Sequence, residues 1–319
     1  MIYTVTLNPV LDRTLSVPAI VFDDVLRATK VRFDWGGKGF NVSRALRLLG
    51  SESVALGFTG GGTGRMLERG LAELGIATDL TPIQGETRTN VVISEGGTGR
   101  YIKVNEAGPA VLPAERETLL EKVRRLAKPG DHWVLSGSLP PGTPAGFYAL
   151  LVETIQSRGG LVFLDASGEP FRLGCAAGPY LVKPNAAEAA DALEISLQER
   201  EGEWLGEDLR AAGEAFLRQD ITYVALSLGA GGLWFAGREA SCRLRPPKVR
   251  LENPTGAGDS LLAGIVWALE RGLSPREAAR WGVAAGSAAA MHAGTGVGTF
   301  DEVSALYQQV VVEEEEEEG

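Results

Sequence analysis

Cysteine and histidine are scarce in this sequence, with two of each among 319 residues. Cys175 and Cys242 stand far apart without Cys-x-x-Cys spacing, so neither a disulfide framework nor a zinc site is expected. His132 and His292 belong to no His-Glu-x-x-His motif, and no Gly-x-Ser-x-Gly elbow occurs. Histidine-based hydrolysis is therefore unexpected, and acid–base chemistry should rest on a carboxylate. No apolar run approaches the ~18 residues needed to cross a bilayer. The opening MIYTVTLNPVLDRT lacks the basic and apolar regions of a secretory signal, so a cytoplasmic protein is expected. Neither Gly-x-x-x-x-Gly-Lys-Ser/Thr nor Gly-x-Gly-x-x-Gly occurs, which removes the P-loop and the dinucleotide fingerprint. A basic stripe is also missing, so neither nucleic acid nor an anionic membrane surface is an expected partner.

What the sequence does have is glycine: 42 residues, nearly twice the usual share of ~7%. In a chain with 44% hydrophobic residues these suit turns and phosphate-holding loops better than disorder. The formal charge is −10, but Glu313 to Glu318 form one block, and without those six the rest carries −4. Residues 311–319 read as an acidic tail, solvated and disordered. Residues 1–310 read as an α/β domain, because short β-branched runs alternate with helical patterns as in a mostly parallel sheet with crossover helices. Strands are expected at Ile2–Leu7, Val54–Gly57, Trp133–Ser136, Leu161–Asp165, Tyr180–Val182 and Tyr223–Ser227. Helices are expected at Asn41–Leu49, Gly64–Leu74, Pro113–Ala127, Ala145–Arg158, Gly206–Arg218, Asp259–Arg271, Pro275–Ala290 and Asp301–Val310. Residues from about 12 to 35 and from about 87 to 104 break the rhythm and read as strands alone. Thr89–Ser94 and Tyr101–Val104 flank a Gly-rich turn as a hairpin would, so a small sheet covering a site is one reading and a plain edge hairpin the other.

Four segments could carry chemistry. Asn253-Pro254-Thr255-Gly256-Ala257-Gly258-Asp259-Ser260 precedes an apolar helix, so small residues leave amides uncovered at a positive helix end. Asp259 beside that anion hole could deprotonate an alcohol, or simply cap the helix. Gly36-Gly37-Lys38-Gly39-Phe40-Asn41 opens another helix, with glycines for close approach, one cation and one amide. Ser227-Leu228-Gly229-Ala230-Gly231-Gly232 ends a strand where backbone could follow a nucleotide's phosphates. Asn185-x-x-Glu188, after Lys183-Pro184, offers hard oxygen ligands that suit hydrated magnesium, although the tetrapeptide is a common one.

Together these segments resemble the PfkB/ribokinase family of carbohydrate kinases. GGKGFNVSRALRLLG with Gly60 is similar to its N-terminal signature and NPTGAGDSLLAG to its C-terminal one, with KPNAAE and SLGAGG between them. TLNP, TRTN and SGSLPPG resemble the hexose-phosphate branch, which holds 1-phosphofructokinases, tagatose-6-phosphate kinases and the minor 6-phosphofructokinases. The resemblance implies a ribokinase-like α/β fold, with a mostly parallel central sheet flanked by helices and a small β-sheet lid. It implies ATP- and Mg2+-dependent transfer to a sugar hydroxyl, with Asp259 as base and Gly256, Ala257 and Gly258 as the anion hole. Asp12, Gly37, Lys38 and Asn41 would hold the sugar, while Arg88, Asn90, Ser138 and Arg27 would bind its phosphate. Lys183, Asn185 and Glu188 would serve nucleotide phosphates and magnesium. Ser227, Gly229, Gly231 and Gly232 would serve the nucleotide. A homodimer through the lid is implied as well. The expected activity is phosphorylation of fructose 1-phosphate to fructose 1,6-bisphosphate. The alternatives are a tagatose-6-phosphate kinase and a non-catalytic sugar-phosphate-binding regulator.

Overall fold

The computed structural model describes residues 1–200, 203–238 and 240–314. Its frame is an eleven-stranded sheet. From one edge the order is Val311–Glu314, Ser241–Arg245, Leu233–Gly237, Tyr223–Ser227, Leu181–Val182, Leu161–Asp165, His132–Ser136, Ile2–Thr6, Val54–Thr59 and Ala77–Thr78, with Thr81–Pro82 also against Val54–Thr59. The strands from Tyr223–Ser227 to Val54–Thr59 run parallel, and those beyond Tyr223–Ser227 run antiparallel. Every residue of Ile2–Thr6 and His132–Ser136 is buried, as parallel strands covered on both faces require.

Alternate residues of these strands feed two cores. Trp133 and Leu164 face Leu119, Leu151, Phe171 and Phe216 from the helices Pro113–Leu126, Phe147–Gln156, Gly168–Ala176 and Gly206–Leu217. Val134 and Phe163 face Val42, Leu262, Val283 and Val303 from Lys38–Leu48, Ala257–Glu270, Pro275–Ala289 and Phe300–Tyr307. Among the described residues no helix is long and apolar enough to cross a membrane.

A separate four-stranded sheet stands beside this frame, in the order Lys30–Gly36, Val10–Val17, Arg88–Glu95, Tyr101–Val104. Its central pair is parallel, and the outer two pairings are antiparallel. The sequence pattern misses the helices Gly168–Ala176 and Ala186–Leu193. It also needs one correction at the tail. Val311–Glu314 is not solvated chain but an edge strand on Ser241–Arg245, because two β-branched valines extend it and Arg245 Nε pairs with Glu313 at 3.0 Å. Residues 315–319 of the expected tail lie outside the described residues.

Candidate active site

Ligands gather where parallel strands deliver their carboxyl ends. There Asp165, the last residue of Leu161–Asp165, is fully buried between two lysines. Lys38 Nζ lies 2.9 Å from its Oδ1, and Lys183 Nζ lies 3.2 Å from its Oδ2. Burial opposes a charge on Asp165, yet the Lys183 and Lys38 ammoniums outweigh it and hold the carboxyl below the usual range. Burial equally opposes the Lys38 ammonium, but Asp165 and then Glu188 outweigh it and raise its pKa.

Asp259, the third residue of Ala257–Glu270, is buried next to this group. Its Oδ2 accepts from Asn41 Nδ2 at 2.8 Å, which ties the Gly36–Asn41 loop to the catalytic candidate. Burial, reinforced by the charge of Asp165, pushes the Asp259 carboxyl up to about 6 against the pull of Asn41, Lys38 and Lys183. Such a carboxylate is a stronger base than an ordinary aspartate and still ionised at neutral pH.

Gly256 caps the helix in the left-handed region at φ +83°, with no side chain over the amides. The Ala257 amide already turns back to the Pro254 carbonyl at 3.2 Å, whereas the Gly256 and Gly258 amides have no hydrogen-bond partner among the described residues. A Cβ on Gly258 would stand 3.4 Å from Lys183 Nζ, so that ammonium borders the same hole. The Gly36–Asn41 loop needs its glycine too. Gly37 has φ +133°, and a Cβ there would meet the Thr6 side chain at 2.5 Å.

A second polar cluster forms on the smaller sheet. Asp12 and Asn90 are register partners, and Asn90 Nδ2 donates to Asp12 Oδ1 at 2.9 Å. Burial raises the Asp12 pKa, while Asn90, Lys103 and Arg88 pull it back. Arg88 donates to the carbonyls of Asn8 and Glu106, both at 3.0 Å, and its buried Nε has no partner among the described residues. Asn8 Nδ2 reaches Ser138 Oγ at 3.4 Å, which joins Ser138 to Arg88 through one residue. A guanidinium with a spare donor beside hydroxyl and amide groups suits an anionic oxygen.

The family model for "pfkB family carbohydrate kinase" matches residues 5–301. The chain is 31% identical over 315 residues to a 1-phosphofructokinase from Borreliella burgdorferi, covering 98% of this chain and 99% of that protein. It is 34% identical over 310 residues to a D-tagatose-1-phosphate kinase from Bacillus licheniformis, covering 97% and 99%. Phosphofructokinase-2 from Escherichia coli superposes with a TM-score of 0.91 at 32% identity, covering 97% of this chain and 98% of that one. The chain belongs to the pfkB family of carbohydrate kinases.

For a carbohydrate kinase, three expected site residues stand differently from their motif reading. Arg27 is exposed on the connection between Val10–Val17 and Lys30–Gly36, and among the described residues it has no hydrogen bond or ion pair with the Arg88 cluster. Asn185 and Glu188 form a reciprocal cap of Ala186–Leu193, with the Asn185 amide on Glu188 Oε2 at 2.9 Å and the Glu188 amide on Asn185 Oδ1 at 2.8 Å. The other Glu188 oxygen stays outside the cap, 3.9 Å from Lys38 Nζ. On the loop expected to serve the nucleotide, Ser227 bonds the Pro184 carbonyl at 2.9 Å through its amide, and Gly229–Gly231 forms a short 3-10 turn. Gly229 opens onto free space, whereas Gly232 serves packing: a Cβ there would stand 2.0 Å from the Leu244 carbonyl. Asp165 was missed in the sequence. The available signal was an acidic residue closing a buried strand just where such sheets bind ligands.

Proposed function

We propose that this kinase uses ATP and magnesium to phosphorylate a ketohexose 1-phosphate, with fructose 1-phosphate as substrate and fructose 1,6-bisphosphate as product. The observation that carries the reading is the Asp259 carboxyl, raised to about 6 beside the free Gly256 and Gly258 amides and the Lys38–Asp165–Lys183 group. Asp259 takes the proton from the acceptor hydroxyl as its oxygen bonds to the γ-phosphorus of ATP. The bond from that phosphorus to the bridging oxygen breaks, and ADP leaves. The anion-hole amides and the Lys183 and Lys38 ammoniums hold the charge that gathers on the transferring group. Asp12 and Asn41 orient the sugar hydroxyls, and Arg88, Asn90 and Ser138 hold the phosphate already present, with Arg27 reaching it from the exposed connection.

Among the described residues no group of three or more His, Cys, Asp or Glu could hold a metal. The donor chemistry that remains, the uncapped oxygen of Glu188 with Asn185 behind it, fits a hydrated magnesium held through water. When bound, magnesium would neutralise nucleotide phosphate charge.

The smaller sheet serves as a lid that keeps water from the transferring phosphoryl group. Its exposed Val31, Phe33, Tyr101 and Val104 support pairing of two copies through it. A related Escherichia coli phosphofructokinase-2 is described as tetrameric in an inhibited form. The site of action is cytoplasmic. The names of two relatives, a 1-phosphofructokinase and a D-tagatose-1-phosphate kinase, support a sugar already phosphorylated at carbon 1.

The test is a coupled ADP-release assay with ATP–magnesium and fructose 1-phosphate, tagatose 1-phosphate, tagatose 6-phosphate and fructose 6-phosphate. The highest kcat/KM is expected for fructose 1-phosphate. Preference for a 6-phosphate would move the reading to that sugar, and preference for an unphosphorylated sugar would sink it.

A further inference from the structure

The helix Lys38–Leu48 carries the sugar loop at its start and packs along Ala257–Glu270. Asn41 and Arg44, three residues apart, project from the same face of it. While Asn41 holds Asp259, Arg44 Nη1 donates to Thr295 Oγ1 at 2.9 Å. Thr295 backs the anion-hole turn: a Cβ on Gly256 would stand 3.8 Å from Thr295 Cα. The segment leading into that turn is tied to the same loop, since the Ala290 carbonyl accepts from the Glu252 and Asn253 amides at 2.9 and 3.2 Å.

The strand Lys30–Gly36 borders this loop as well. The Arg32 guanidinium lies where a Cβ on Gly294 would be, at a residue with φ +68°, and Arg32 Nε pairs with Asp34 at 2.9 Å. Asp34 is in turn the register partner of Asp12. Burial disfavours the Arg44 charge, Asp34 favours it and Arg32 opposes it, and among the described residues its guanidinium makes one directed bond, to Thr295. A continuous run of contacts thus leads from the sugar-binding sheet to the anion hole.

Resting on the kinase reading above, we infer that Arg44 and Thr295 are positioning residues that set the distance between the sugar loop and the Gly256–Gly258 turn. Neither touches substrate. Their bond fixes where the phosphoryl group sits relative to the acceptor hydroxyl, so its loss displaces the turn without emptying either binding site. Phosphoryl transfer is sensitive to this, because a misplacement of about 1 Å can cost about 10²-fold in rate. The reading predicts a split, with kcat falling and both Michaelis constants holding.

Thr295→Val keeps the side-chain shape and removes the acceptor, while Thr295→Ser restores it. With whichever sugar phosphate the wild type uses best, Thr295→Val should lower kcat about 10- to 100-fold and leave both KM values within about three-fold. Thr295→Ser should return kcat to within about three-fold of wild type, and adding Arg44→Met to Thr295→Val should cost little more, since one bond cannot be lost twice. Wild-type kcat in Thr295→Val, a serine variant as impaired as the valine one, or a loss confined to KM would each overturn the inference. If Arg44→Met fails to fold, the valine and serine pair still decides. A wild type inactive on every sugar phosphate would sink the kinase reading and this inference together, whereas an active wild type with an unaffected valine variant sinks only the inference.

Discussion

Asp259 and Asp12 are both raised above the ordinary aspartate range by loss of water, but their surroundings differ. Asp259 is buried beside Asp165, a second carboxylate that Lys183 and Lys38 keep ionised. Asp12 is half-buried on the smaller sheet, answered by one amide from Asn90 and by the more distant cations Lys103 and Arg88. The proposed transfer end is therefore built from fixed charges packed into the main frame. The proposed acceptor end rests on hydrogen bonds from one amide and one guanidinium, to the Asp12 carboxyl and to backbone carbonyls, around the smaller sheet. On the proposed reading the first would stabilise charge without rearranging, and the second would adjust to the sugar.

The sharpest way to break this contrast is Asp259→Asn. Turnover should fall about 10²–10⁴-fold, the worth of a general base, with ligand binding largely intact. Stability should move the other way. The fold raises the Asp259 pKa from 3.8 to about 6, so the stability this group contributes is present below the lower value and lost as pH rises through the upper one. An uncharged asparagine should thus melt higher than wild type at neutral pH. Asp165 has the opposite sign, because its depressed pKa gives stability above the unfolded value that is lost as pH falls.

Lys183→Met comes next. It leaves the buried Asp165 carboxylate to Lys38, whose own side chain is 39% exposed and screened by water. A loss of about 3–5 kcal/mol in urea unfolding is expected for breaking such a pair from the buried side. A loss below about 1 kcal/mol would mean that Lys38 alone suffices. The smallest effect belongs to the acceptor end. Arg88→Ala should raise KM for the sugar phosphate about ten-fold, as loss of a charge-assisted contact would, and leave KM for ATP unchanged. The reverse pattern would move Arg88 out of the sugar site.

The same contrast governs what could be read in the sequence. Asp259 and the Gly36–Asn41 loop were legible because their chemistry is local, with glycines and a helix start lying within a few residues. The hairpin Arg88–Glu95 to Tyr101–Val104 was legible from its turn. Asp165 was not, since its state depends on Lys38, 127 residues away in the chain, and on Lys183. The spacing of Asn185 and Glu188 suits oxygen ligands and equally writes a capping box, so the helix Ala186–Leu193 behind them has no unambiguous local sign. At the far end the glutamate block drew the valines before it into a supposed tail. Edge pairing with Ser241–Arg245 depends on a strand that is distant in sequence and gave no local sign.

The most direct test of the account is the pH dependence of kcat at saturating ATP–magnesium and fructose 1-phosphate. If Asp259 is the base with its carboxyl raised to about 6, kcat should fall about ten-fold per pH unit below that point, and the residual activity of Asp259→Asn should lack this limb. A wild-type profile flat down to the ordinary aspartate range, or an Asp259→Asn enzyme that keeps both the limb and the turnover, would contradict it.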